Sequence, residues 1–268
     1  MKCLNIIVFY DNKIEVANYI TEVYQIAQGK VDIIMVVNSD KQYQVPELMR
    51  ELHESGITCF EIQNYGENIG YLNAMLKTLK YIDMKLYRYI ILSNTDIHYN
   101  SKNFFEKLLN KEYPIDVGCI APSVYATKSN SYSNPHYVER ISRKKLERLE
   151  MIFAHPFCAK IYLELASIKA GRKKKEKEHS NYVYSPHGCY MIFSREFVNK
   201  VLGYEYGVKL YSEESCVGEL LLRNNMKCFY DESIEVIHQE SSVTGKIDYK
   251  KRFSAWKDSI DYILTQFY

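Results

Sequence analysis

The sequence predicts an α/β fold: a mainly parallel, Rossmann-like central sheet flanked by helices. Three observations predict it. Short apolar runs rich in Ile, Val, Leu and Tyr recur through residues 1–125 and read as buried strands. Between them lie segments whose apolar residues repeat at helical spacing. One run, Tyr89-Ile90-Ile91-Leu92, ends abruptly in Ser93-Asn94-Thr95-Asp96. That puts an amide and a carboxylate at a C-terminal strand edge, where open α/β sheets bind ligands.

In chain order, the strand candidates are Leu4–Tyr10, Asp32–Val37, Thr58–Gln63, Arg88–Ser93 and Val117–Pro122. Helical patterns fill the gaps at Ile14–Gln28, Pro46–Ser55, Tyr71–Met84 and Asn103–Asn110. Crossovers of that length are what parallel strands require. After a polar loop, Ser129–Pro135, a helix is expected from Ser142, interrupted at Pro156. Tyr182–Phe193 reads as a strand pair, or as one strand broken at Pro186-His187-Gly188. Glu213–Asn224 reads as a helix, Lys227–Tyr230 and Ile234–His238 as short strands, and Asp248–Phe267 as an amphipathic helix.

The 268 residues carry a net charge of +2, without the basic excess of a general nucleic-acid binder. No apolar run reaches the roughly 20 residues that span a bilayer. The apolar run after Met1-Lys2 meets Asp11 at once and is better read as a first strand than as a signal peptide. Seven scattered cysteines without a CxxC pair suit buried, reduced thiols. The 25 tyrosines have two readings, compositional bias or an amphipathic surface facing sugar or an interface. The basic run Lys169–His179 likewise reads as a solvated loop, or as a contact with anionic lipid or a phosphate-bearing acceptor. In the second case Ile152, Phe153, Phe157, Ile161, Tyr162 and Leu165 form an apolar face beside it, unless they pack on the sheet.

Four constellations have the residue types for chemistry, and each has a plainer reading. Asn94-Thr95-Asp96 suits a divalent cation bound against a phosphate, or a helix cap. Glu67-Asn68-Ile69-Gly70-Tyr71 suits a ligand-binding turn or an Asn-led cap. It is not GxGxxG, and the chain has no GxxxxGK[ST] loop, which disfavours dinucleotide and P-loop sites. Tyr211-Ser212-Glu213-Glu214 puts two acids at a helix start, where the dipole stabilises anions and a carboxylate can serve as base. Val236-Ile237-His238 ends a strand in an imidazole that is either structural or a metal ligand.

Their order along the chain resembles an inverting family 2 glycosyltransferase of the GT-A fold, and within it the rhamnosyltransferase-like branch of bacterial surface-polysaccharide synthesis. The resemblance runs from about Leu4 to Ser242. It rests on Asn68-Ile69-Gly70-Tyr71, Leu92-Ser93-Asn94-Thr95-Asp96, Asn134-Pro135, Gly188 with Met191-Ile192-Phe193, Tyr211 with Glu213-Glu214, and Val236-Ile237-His238.

The resemblance implies a division of labour. Residues 1–125 would bind the nucleotide-sugar donor. Residues 126–268 would form the acceptor side of the same catalytic domain, with a helical, basic insertion at 140–181 and a C-terminal helix at 248–267. Asp96 and His238 would hold Mn2+ or Mg2+. Tyr10, Asp11, Asn38, Asn68, Gly70, Asn94, Thr95, Asp96 and Gly188 would line the site for a UDP-, dTDP- or GDP-sugar. Glu214 would be the catalytic base, and Glu213 its sugar- or acceptor-binding partner. The sequence departs from the family at Asn94, where the first acid of Asp-x-Asp is usual. It departs again at Asn38-Ser39-Asp40, where an Asp usually ends the second strand, and at Glu214, where the second acid is usually Asp. The acceptor would be a saccharide or lipid-linked saccharide, and the place of action cytoplasmic, at the inner face of the membrane. The competing classes are a nucleotidyltransferase, which would need a basic Gly-rich loop after the first strand, and a non-catalytic sugar-nucleotide or polysaccharide-binding homologue.

Overall fold

A computed structural model describes residues 1–10, 12–39, 44–58, 60–172, 180–240 and 248–268. The first half alternates as expected: β1 (Lys2–Phe9), α1 (Lys13–Ala27), β2 (Val31–Val37), α2 (Val45–Glu54), β3 (Phe60–Asn64), α3 (Tyr71–Leu79) and β4 (Tyr87–Ser93). Local chemistry sets the boundaries. The Asn12 side chain accepts from the Glu15 N–H and starts α1. Helix α3 stops at Leu79, earlier than the sequence pattern suggests. A single 3-10 turn at Met84–Leu86 follows, capped by Asp83 accepting from the Lys85 N–H.

The chain continues through β5 (Ile97–Tyr99), α4 (Phe104–Asn110), β6 (Val117–Ala126), β7 (Ser131–Tyr132), α5 (Arg143–Ala154) and α6 (Pro156–Arg172). Then come β8 (Tyr182–Val183), β9 (Tyr190–Ser194), α7 (Arg195–Val201), α8 (Glu213–Arg223), β10 (Lys227–His238) and α9 (Tyr249–Phe267). Pro156 does interrupt a helix; it starts α6 at 119° to α5. The two short strands expected at 227–230 and 234–238 are one strand, β10. Its register shifts between Asp231 and Glu235, where the Asp231 carboxylate accepts from the Ser233 N–H and hydroxyl.

Among the described residues the sheet has ten strands, in the order β3-β2-β1-β4-β9-β6-β10-β5, with β7 beside β6 and β8 beside β10. The run β3-β2-β1-β4 is parallel, as the alternation predicts. Strand β9 then enters antiparallel between β4 and β6 and makes the sheet mixed. Alternate strand residues feed two cores, one on each face. Leu4, Ile6, Ile90 and Leu92 pack with α3, α7, α8 and α9. Cys3, Ile7, Phe9 and Ile91 pack with α1, α2 and α4. Several tyrosines belong to this interior: Asn5, Tyr19, Tyr99 and Tyr190 form a hydrogen-bonded chain inside the sheet at 2.6–3.1 Å.

One buried ion pair locks the second half. The Glu219 carboxylate on α8 accepts two hydrogen bonds from the Arg140 guanidinium and one from the Tyr184 hydroxyl, each at 2.8 Å. Arg140 also donates to the Phe267 carbonyl at the end of α9. Glu219 is nearly inaccessible, whereas Arg140 is half-exposed. Removing the cation would strand a buried charge. Arg140→Ala should therefore lower unfolding stability by about 3 kcal/mol, the low end for a buried pair because water reaches the Arg140 side. Urea denaturation of the variant, with Arg140→Ala/Glu219→Gln recovering part of the loss, checks this.

Candidate active site

The parallel strands β1, β2 and β4 end on one edge. Chain order reverses there, because β1 lies between β2 and β4. Asn94-Thr95-Asp96 follows β4 directly. The chain then turns back as β5 and pairs antiparallel with the end of β10, His238 opposite Ile97. This pairing brings the buried Asp96 carboxylate to 3.2 Å from the His238 Nε2. The Gln239 N–H donates to the Asp96 carbonyl and fixes the crossing.

The acid pair opens α8. Tyr211 and Ser212, with φ of 70° and 58°, are both left-handed, a conformation costing about 1–2 kcal/mol in a non-glycine residue. Glu213 is buried. Burial, and then the charge of Glu214, push its carboxyl up to about 8, against opposing N–H groups of Glu213 and Tyr211. Glu214 moves the other way. Burial alone would raise it, but His136, His187 and the N–H groups of Glu214 and Gly188 outweigh burial and hold it below the usual carboxylate range. The Gly188 N–H donates to Glu214 Oε1 at 3.1 Å. A Cβ at Gly188 would lie 2.7 Å from that oxygen, so only glycine admits the carboxylate there. Two neighbouring acids with pKa values driven apart can be proton donor and proton acceptor at one pH.

Histidines join the two centres. The rings of His136 and His187 are 5.8 Å apart, and those of His187 and His238 are 5.9 Å apart. The fully buried Asn134 builds this row: its Nδ2 donates to the Pro122 carbonyl, and its Oδ1 accepts from the His187 N–H. Asn134-Pro135 and His187-Gly188 mark the two loops in the sequence, but nothing there marks His136. A second group, named in the sequence only as part of the Asn68–Tyr71 motif and given no role there, is the Tyr71 hydroxyl. It is buried and has no hydrogen-bond partner among the described residues. Burial pushes it far up, and Cys189, Glu213 and Asp96 are among the charges that add to the shift.

Several expected donor contacts are engaged within the protein. The Thr95 hydroxyl donates to Glu15 on α1. The Asn38 side-chain Oδ1 accepts from the Ile69 N–H at 2.7 Å, tying the end of β2 to the loop before α3. Asn68 Oδ1 accepts from the Gly70 N–H in an Asx turn. Gly70 has φ of 91°, and a Cβ there would meet the Lys209 carbonyl at 2.6 Å. The Asn94 N–H donates to the Cys189 carbonyl. Tyr10 is exposed beside this edge. Asp11, Asp40, Cys59, Ser241-Ser242 and the stretch 173–179 lie outside the described residues.

A divalent cation fits the donor set at Asp96 and His238. The two are an oxygen and a nitrogen ligand, one partly and one nearly wholly shielded. Among the described residues no three His, Cys, Asp or Glu side chains converge on one point; Asp96 and His238 are two such groups in contact.

No protein-family profile matches the chain, and no curated protein does. Solved structures do. The chain is similar to a mannosyltransferase, PcManGT, from Pyrobaculum calidifontis in complex with GDP-Man and Mn2+. The TM-score is 0.59 at 10% identity, over 90% of this chain and 58% of that one. It is similar also to GalNAc-T7 with UDP, GalNAc and Mn2+, with a TM-score of 0.57 at 13% identity, over 97% of this chain and 49% of that one. The chain thus spans about half the length of these proteins. The fold is that of the GT-A glycosyltransferases, a central curled sheet flanked by helices.

The raised pKa of Glu213 makes stability depend on pH. The proton it keeps favours folding. That contribution is full below the unfolded value of about 4.3 and is lost as pH rises to the folded value of about 8. Glu213→Gln removes the dependence. The wild type should therefore lose Tm relative to the variant as pH rises from about 5 to about 8, and the difference should level off above that; thermal melts across this range measure it.

Proposed function

We propose that the chain is an inverting, metal-dependent glycosyltransferase. It moves a sugar from a nucleoside-diphosphate donor to a hydroxyl of a saccharide acceptor, in polysaccharide synthesis. The carrying observation is the geometry of two centres joined by one row of histidines: Asp96 at 3.2 Å from His238, and Glu214 held by the Gly188 N–H with Glu213 beside it. The neighbours in complex with GDP-Man or UDP and Mn2+ support a UDP-, dTDP- or GDP-sugar as donor and Mn2+ or Mg2+ as cofactor.

Asp96 and His238 would hold a divalent cation, which would neutralise the charge that grows on the leaving diphosphate. The remaining steps belong to side chains. Gly188 fixes one Glu214 oxygen by its N–H and leaves the other free to take the acceptor proton. The acceptor oxygen forms its bond to the anomeric carbon as the bond from that carbon to the donor phosphate oxygen breaks, so the configuration inverts. His136 and His187 keep Glu214 an anion until it receives that proton. Glu213, whose burial and proximity to Glu214 favour the protonated form, donates a hydrogen bond to a sugar hydroxyl.

Glu214→Gln keeps an oxygen for the Gly188 N–H but cannot take a proton. It should lower turnover by about 10²–10⁴-fold and leave donor affinity within about two-fold. Steady-state rates and calorimetric titration with UDP-, GDP- and dTDP-sugars decide the point; near-normal turnover in the variant would refute Glu214 as base. Asp96→Ala should abolish the Mn2+-dependent part of donor binding in the same titration. A wild type that binds donor but neither transfers nor hydrolyses it, with or without Mn2+ or Mg2+, would instead mark a binding homologue.

A further inference from the structure

Helix α6 is apolar on two faces, and the fold uses only one. Within Pro156–Ile168, Ala159 is buried and Leu163 half-buried, both against the core that includes α5 and α9. On another face Phe157, Ile161, Leu165 and Ile168 follow one another at i, i+4, i+8 and i+11, which makes a single stripe. These residues are 75%, 41%, 63% and 54% exposed. A bare stripe of this kind marks a contact surface rather than scattered surface apolars.

Charge identifies the occupant. Arg143–Arg172 holds seven Lys and Arg against three Asp and Glu, in a chain whose net charge is only +2, and the sequence runs on into Lys173-Lys174-Lys175. A second copy of the chain would bring two such basic faces together. An anionic bilayer takes the apolar stripe and the basic charge at once, the pair of signals that stable peripheral attachment needs. We propose that α6 docks on an anionic lipid surface by the Phe157–Ile168 stripe.

An aromatic ladder carries this surface to the acid pair. Tyr162 of α6 meets Phe153 at 6.1 Å, Phe153 meets Trp256 at 4.8 Å, and Trp256 meets Tyr211 at 5.1 Å. Tyr211 stands two residues before Glu213. Docking would therefore present Glu214 to an acceptor carried by lipid, a consequence that rests on Glu214 being the base; the docking itself does not.

Co-sedimentation with vesicles of phosphatidylcholine alone, or mixed with phosphatidylglycerol, tests docking without any activity measurement. The full chain should bind the mixed vesicles, and binding should weaken as salt is raised. Phe157→Ser/Leu165→Ser, at exposed positions, and Lys169→Glu/Arg172→Glu should each cut binding at least about ten-fold with the circular dichroism spectrum unchanged. Absence of binding to the anionic vesicles, or binding that ignores both variants, overturns the proposal. So does sedimentation equilibrium showing a dimer that Phe157→Ser/Leu165→Ser dissociates, since the stripe would then be occupied by a second copy. Normal transfer to a soluble acceptor with failed docking would leave the assignment of Glu214 standing and remove only the lipid surface.

Discussion

Asp96 and His238 lie far apart in the chain and meet because a three-residue strand, β5, pairs antiparallel with the end of β10. Without that pairing Asn94-Thr95-Asp96 would be one more polar strand end. With it, the main chain of both residues is fixed: the Gln239 N–H donates to the Asp96 carbonyl, and the Thr127 N–H donates to the His238 carbonyl. The insertion of β9 between β4 and β6 completes the frame. It brings Gly188 and Cys189 beside Asn94, and with them the loop that receives Glu214.

On this frame the electrostatics divide cleanly. Burial is the largest influence on both members of the acid pair and would keep both protonated. What separates them is their neighbours. Each has two N–H groups, but Glu214 also has two histidines, whereas Glu213 has the charge of Glu214. Like charges this close cannot both ionise easily, and the favourable neighbours decide which one does. The same histidine row continues to His238, so the Asp96 end and the Glu214 end are joined by one row of imidazoles.

The alternation of strand and helix was legible in the sequence because each run repeats at its own period and ends in turn residues. Strand β5 was not, since three residues carry no period, and β10 read as two strands because Asp231-Glu232-Ser233 looks like a turn, which locally it is. Asp96, His238 and the Glu213–Glu214 pair could be picked out by residue type at element ends. Asn38, Asn68 and Thr95 were picked out by the same rule, and the structure adds a bond within the protein for each. An amide or hydroxyl that closes a turn and one that meets a ligand have the same sequence signature. His136 was hidden for another reason: its place depends on Asn134 reaching both Pro122 and His187, contacts distant in sequence.

Those protein-internal contacts couple the two halves of the site. Asn38 holds the Ile69 N–H, and Gly70 lies against the Lys209 backbone with no room for a side chain. Asn73 on α3 then exchanges hydrogen bonds with the Tyr206 N–H and carbonyl, and the Tyr206 hydroxyl donates to the Tyr211 carbonyl. The next residues are Ser212, strained into the left-handed region, and Glu213. A path of side-chain-to-backbone contacts thus runs from the end of β2, on the expected donor side, to the start of α8. The two left-handed residues at its end are held by these contacts and by the bond from Ser212 to Ser259 on α9. Such a path fixes the distance between the strand edge and the acid pair, which is the quantity a single displacement between two bound substrates depends on most.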